Sequence, residues 1–265
     1  MNITIVYKTY EQDLQWLKYS LLSVKKYVIN YKTILIYCHD KAIDALVRLL
    51  ADIQIDATVL PVQYDYHGYI KQMVVKCLCY KDITTKYIAI LDSDTIFTNH
   101  YDLDNLIRSD GRIEWIYSQK ASNSSGPEWV VWKQAFEDMT KTPQTTHFMS
   151  NGFPFVFTRE SLENADTAFK DLHKMDYNEF CMRRLQGKNI TIYDKITDKF
   201  LILATVFEEF EWLGYYCKHN SPDYVFLDNK HNSRNIWPIL KQYWSHGTIT
   251  PSIKKEIENI LFASI

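Results

Sequence analysis

Asp92-Ser93-Asp94 carries the densest chemistry in the chain. The triplet follows directly on the apolar run Tyr87–Leu91 and leads into Thr95. A continuous apolar run of that length reads as a central parallel strand. Two carboxylates spaced two residues apart at its mouth can therefore reach one point just beyond a sheet. Hard oxygen donors of this kind suit Mg²⁺ or Mn²⁺, whose octahedral shells are completed by water and phosphate oxygens. An ion held there would neutralise a diphosphate and help it leave. The plain alternative is a solvated turn, because Asp and Ser are common turn formers. The position after the fourth strand of an alternating series favours chemistry over a bare turn.

Other side chains stand where they could serve such a site. Gln72 and Lys76 lie one helical turn apart, on a stripe beside the apolar positions Ile70, Met73, Val74 and Cys77. Glu208-Glu209-Phe210-Glu211-Trp212 falls in a short predicted helix. There Val206, Phe207, Phe210, Leu213 and Cys217 form the buried face, with Glu209 and Glu211 on opposite flanks of Phe210. Asn151 and Gly152, within His147–Pro154, suit a tight turn. Trp244-Ser245-His246-Gly247 lies close to the C-terminus.

The elements that must position these residues alternate through the first hundred positions. Ile3–Tyr7 reads as a strand. Thr9 is placed to cap the following helix, with Gln12 at the capping-box position, and that helix runs to about Tyr27. Thr33–Cys38 is a second strand, Asp40 caps a helix through Leu50, and Ala57–Leu60 is a short third strand. A helix over Ile70–Leu78 leads to the strand Tyr87–Leu91. Alternation of this kind predicts an α/β fold with a mostly parallel, twisted sheet and helices on both faces. Ligands bind beyond the carboxyl ends of such strands. The second half is less regular. It has a loop at Asn123–Pro127, a helix over Trp129–Met139, and a strand within His147–Thr158. Helices follow over Arg159–His173, Asn178–Gln186 and Val206–Cys217, with a last one from Thr250 and Pro251 to Phe262. With no repeat and no linker, residues 1–265 read as one domain with halves 1–100 and 101–265, and the end of the last helix suits a module of a longer polypeptide.

Composition bounds the function. Apolar residues make up 46% and the formal charge is −2, which sets aside nucleic acid as the main partner, since that needs a basic surface. Five cysteines without a C-x-x-C pair suggest reduced, mostly buried thiols. No basic and apolar leader precedes Ile3, and no apolar stretch reaches about 18 residues, so the expectation is a cytoplasmic protein without a membrane span.

Ile88-Ala89-Ile90-Leu91-Asp92-Ser93-Asp94-Thr95 resembles the metal-binding D-x-D segment of GT-A-fold glycosyltransferases. Within that class the chain is similar to a family found in bacteria and in large algal DNA viruses, some of whose members build glycans on the viral capsid protein. The resemblance covers most of the chain. It implies a GT-A fold with a nucleotide-binding first half and an acceptor-binding, catalytic second half. It also implies Mn²⁺ or Mg²⁺, a UDP-sugar donor with galactose favoured, a glycan acceptor and, for a viral member, the host cytoplasm. The end of the first strand, Tyr7-Lys8-Thr9-Tyr10, would hold the nucleotide, with Thr9 in the loop and Tyr10 stacking on the base. Asp40 would contact uracil or ribose, and Gln72 and Lys76 would reach the donor. Asp92 and Ser93 would face ribose or metal-bound water, and Asn151 and Gly152 would line the sugar. Asp94, with Asp92, would hold the metal, and His246 would be its third protein ligand. One of Glu209 and Glu211, Glu209 first, would deprotonate the acceptor and give inversion.

Three other readings compete. A D-x-D-x-T phosphatase or phosphotransferase starts from the first strand of its fold and carries Thr or Val where this chain has Ile96. A nucleotidyltransferase usually shows a Gly-rich basic loop after the first strand, and Tyr7-Lys8-Thr9-Tyr10 lacks glycine. A non-catalytic sugar- or protein-binding module would show no metal-dependent turnover.

Overall fold

The structure, a computed structural model, describes residues 2–63, 68–119, 127–149, 152–186, 206–228, 239–243 and 248–262. In chain order the elements are β1 (Ile3–Thr9), α1 (Leu14–Tyr27), β2 (Val28–Ile29), β3 (Thr33–His39), α2 (Ile43–Ile53), β4 (Thr58–Val62), α3 (Gly68–Leu78), β5 (Tyr87–Leu91), β6 (Thr95–Phe97) and β7 (Tyr101–Asp102). There follow β8 (Ile113–Gln119), α4 (Pro127–Thr140), β9 (Thr146–His147), β10 (Phe155–Thr158), α5 (Arg159–His173), α6 (Tyr177–Gln186), α7 (Glu209–Asn220), β11 (Tyr224–Asp228), β12 (Leu240–Gln242) and α8 (Pro251–Phe262).

The central sheet has the order β10-β5-β1-β3-β4. β5, β1, β3 and β4 pair in parallel, and β10 closes the β5 side antiparallel. This is the α/β, Rossmann-like, mostly parallel sheet that the alternation predicts. β5 is buried at all its positions because β1 and β10 flank it. Every residue of β1 is buried as well. β4, at the edge, buries only Val62 fully, and it carries Pro61, which has no N–H to give and is tolerated on an edge strand. α3 packs against β1 and α5 against β10.

Among the described residues three smaller sheets accompany the central one, one of them the short β2–β7 pair. β8 pairs parallel with β11 and antiparallel with β9, around an aromatic cluster centred on Trp115, Phe155, Phe157 and Phe226. Late in the chain, β12 returns to pair antiparallel with β6. All five cysteines are buried free thiols, as their apolar settings suggest.

Local geometry departs from the sequence expectations at three helix starts. Thr9 does not cap α1, since it is the last residue of β1 and a 3-10 turn, Glu11–Asp13, intervenes without a side-chain cap. Asp40 does not cap either. It opens a 3-10 turn whose capping acceptor is the His39 ring, which takes the Lys41 N–H at 3.1 Å. The helix expected from Val206 starts at Glu209, and Val206 and Phe207 are buried before it. Among the described residues no helix is long and apolar enough to cross a membrane.

Candidate active site at the carboxyl ends of β1 and β5

From β1 the chain steps to β3 and β4 on one side of the sheet, and only then crosses to β5 on the other. The direction of winding therefore reverses between β1 and β5. The crevice beyond their carboxyl ends is the switch point where open parallel sheets take ligands. Thr9 and Tyr10 leave one lip of that crevice, and the Asp92–Asp94 turn forms the other. The turn is closed by the Thr95 N–H donating to Asp92 O at 3.1 Å. Ser93 Oγ reaches across to Lys8 O at 3.5 Å, tying the two strand ends together. Asp94 is buried and its carbonyl accepts the Tyr243 N–H at 3.2 Å, while Asp92 keeps 32% of its side chain exposed.

Lys76, in the last turn of α3, is buried at this site among the apolar positions around it on the helix. Its Nζ lies 2.8 Å from Asp92 Oδ1 and 2.8 Å from Glu209 Oε1. Burial alone would push the ammonium down. The two carboxylates more than reverse this and hold it above its ordinary value. Gln72, one turn earlier, is half-buried.

Asp13 escaped the sequence reading, and Lys8 entered it only as part of the Tyr7–Tyr10 segment. Lys8 is buried at the end of β1, 5.0 Å from the centroid of the Tyr10 ring, and burial brings its ammonium down to about 8 against the pull of Asp13. Asp13, which ends the 3-10 turn, is pushed up to about 7 by burial and by the charges of Asp94 and Asp92. Tyr10 is pushed up to about 12 by burial and by Asp13, to which it hydrogen-bonds. Neither Lys8 nor Asp13 belongs to a motif, and only the fold brings them to Asp92 and Asp94. Thr9 Oγ1 is buried in the same place, with no hydrogen bond among the described residues.

The acidic pair of α7 divides in two. Glu211 is fully buried, with both of its carboxylate oxygens engaged. Its Oε1 accepts the backbone N–H groups of Phe148 and Met149 at 3.1 and 3.3 Å and meets His147 Nδ1 at 2.5 Å, while Oε2 accepts from Gln144 at 3.2 Å. Glu209 faces the other way, toward Lys76 and Asp92. Glu208, the residue before the helix, is buried beside it and hydrogen-bonds to it. Burial first, and then the charges of Glu209 and Glu211, hold the Glu208 carboxyl well above the usual carboxylate range. Sequence reading passed over Glu208. Tyr69 borders the same group, its hydroxyl raised by burial and by the charges of Glu208, Glu209 and Asp92. Asp40 is exposed at the end of β3, one strand beyond β1. Gly152 has φ +67°, the left-handed conformation that a tight turn asks of glycine. Asn151 and His246 lie outside the described residues. Tyr243, three positions before His246, donates its N–H to Asp94 O.

The chain belongs to a family of unknown function, DUF6492. The family model matches residues 3–241, which take in the whole central sheet, the Asp92–Asp94 turn, Lys76 and the α7 carboxylates. No curated protein matches the chain. The site of this DUF6492 chain thus has to be judged by its own chemistry. Among the described residues no three His, Cys, Asp or Glu side chains form a group that could hold a metal ion. Mg²⁺-type sites ask for less, since one or two carboxylates with water and substrate phosphates suffice. Burial first, and then the charges of Asp94 and Asp92, raise the Asp13 carboxyl to about 7, and a divalent cation would relieve the part that is repulsion between carboxylates. The residues present fit such an ion, with Asp94 and Asp92 as the protein carboxylates.

Proposed function

We propose that this chain is a metal-dependent glycosyltransferase of the GT-A type, moving a hexose from a UDP-sugar to a glycan hydroxyl with inversion. The observation that carries the reading is the switch-point crevice between β1 and β5, where the Asp92–Asp94 turn, Asp13, Lys8 and Lys76 meet. Carboxylates suited to a divalent cation and two buried ammonium groups in one crevice match the needs of a diphosphate leaving group. The D-x-D resemblance supports a sugar nucleotide over other diphosphates. The first strand ends in Tyr7-Lys8-Thr9 and the carboxylates end β5, which disfavours a phosphatase built on an aspartate of its first strand.

When bound, the ion would supply charge neutralisation to the departing UDP. Asp94 and Asp92 would hold it, with His246 as the proposed third ligand. The orphaned Thr9 hydroxyl and the Tyr10 ring would meet the nucleoside, and Lys8 would add positive charge on the diphosphate side. Glu209 ranks ahead of Glu211 for acceptor activation, because both carboxylate oxygens of Glu211 already accept from the 144–149 segment. Glu209 shares Lys76 with Asp92 instead. Galactose is the favoured donor sugar on resemblance alone, with a glycan hydroxyl as the acceptor.

A thermal-shift panel of nucleotide sugars with and without Mn²⁺ tests the reading. UDP-sugars should stabilise the protein only with Mn²⁺, and Asp94→Ala should remove both that shift and slow UDP-sugar hydrolysis. A panel with no metal-dependent response to any nucleotide sugar would sink the proposal.

A further inference from the structure

Lys76 is one cation set between two anions. Its Nζ stands 2.8 Å from both Asp92 Oδ1 and Glu209 Oε1, and the Lys76 and Glu209 side chains are only 4% and 3% exposed. The Phe153 and Phe210 rings stand by the same ammonium, at 5.9 and 5.0 Å to their centroids. So enclosed, the ammonium reaches the crevice through Asp92. A buried ammonium must keep a counter-ion, because an uncompensated buried charge is strongly destabilising. Of its two carboxylates, Asp92 alone has a substantial exposed edge.

We propose that Glu209 is a positioning residue for the metal site: by serving as the counter-ion of Lys76 it keeps Asp92 available to a divalent cation. The inference rests on the reading of Asp92 as a metal carboxylate. With Glu209 in place, the Asp92 carboxylate can turn toward an ion while Lys76 retains a partner. Without it, the ammonium and the ion compete for the same oxygens, and the repulsion between two nearby cations goes uncompensated. Glu208, hydrogen-bonded to Glu209, fixes that side chain in place. Glu209 opens α7, whereas Lys76 and Asp92 belong to α3 and the end of β5. Metal affinity in the first half of the chain is thereby set by a helix of the second half.

Mn²⁺ titration of the full chain by calorimetry, without nucleotide, tests this directly and needs no turnover. Glu209→Gln should raise the Mn²⁺ Kd on the order of tenfold. The double variant Lys76→Met/Glu209→Gln, which removes the competitor together with its counter-ion, should return it to the wild-type value. An unchanged Kd in Glu209→Gln, with Mn²⁺ binding intact in the wild type, overturns the inference and leaves the metal site standing. Failure of the wild type to bind Mn²⁺ overturns both. Should Glu209→Gln not fold, the wild type decides. Mg²⁺ should shift the Lys76 ¹⁵Nζ resonance as Asp92 turns to the ion, and an unmoved resonance refutes the proposal.

Discussion

At the scale of single residues, the site is governed by how many charges share one crevice. Asp13 shows this most clearly. Its carboxyl is raised to about 7 by burial and by Asp94 and Asp92, so the folded chain holds a proton there that the unfolded chain releases near pH 4. Between those values the folded state binds more protons than the unfolded one. Stability therefore falls as pH rises from about 4 to about 7, and is flat above that for this group. Asp13→Asn should leave stability at pH 4 unchanged and raise it at pH 8 when divalent ions are chelated, as read by urea midpoints. Equal midpoints for variant and wild type at pH 8 would show that Asp13 is not crowded by its neighbours. Asp92, Asp94 and Lys76 were legible in the sequence because a strand and a helix stripe announce them. Asp13 and Glu208 were not, and Lys8 only as part of the Tyr7–Tyr10 segment, since each stands beside its partners only once β1, β5 and α7 are brought together.

At the scale of elements, the strands of the central sheet and the start of α5 were legible, whereas β8, β11 and the starts of α1, α2 and α7 were not. Tyr87–Leu91 could be read because a strand with neighbours on both sides is apolar throughout. The starts of α1 and α2 were misplaced because a 3-10 turn precedes α1 and the His39 ring caps the turn ahead of α2, and α7 begins later than expected because Glu208 is still extended. α7 deserves its position to a glycine. A Cβ on Gly214 would stand 2.4 Å from the Phe148 side chain, so the helix can approach the 144–149 segment only where no side chain intervenes. The same approach brings Glu211 onto the Phe148 and Met149 N–H groups. Gly214→Ala gains helix propensity yet overpacks a buried contact, and should cost about 1–3 kcal/mol. Chemical denaturation checks this, and a stabilised Gly214→Ala would mean that Phe148 moves aside freely.

At the scale of the whole molecule, the chain returns to its own middle. β12 pairs with β6 directly after the Asp92–Asp94 turn, and Tyr243 donates to Asp94 O. α8 holds that return in place, with Glu256 bonded to Lys241 and to the Tyr243 hydroxyl at 2.9 Å, while Trp16 of α1 packs its ring 5.8 Å from the Tyr243 ring. The link between late and early segments could not be read from periodicity, because three residues of β12 carry no pattern of their own. It makes a demand on ligand binding, however. A ligand that fills the crevice through Asp94 must stiffen residues on both sides of that hydrogen bond, since the turn and the returning strand share it. Hydrogen exchange with Mn²⁺ and UDP should therefore slow in peptides covering 92–97 and 239–243 together, while α2, remote along the sheet beyond β3, stays unchanged. Protection confined to the first hundred residues would mean that the ligand is held by the nucleotide half alone and that the returning strand serves only to complete the fold.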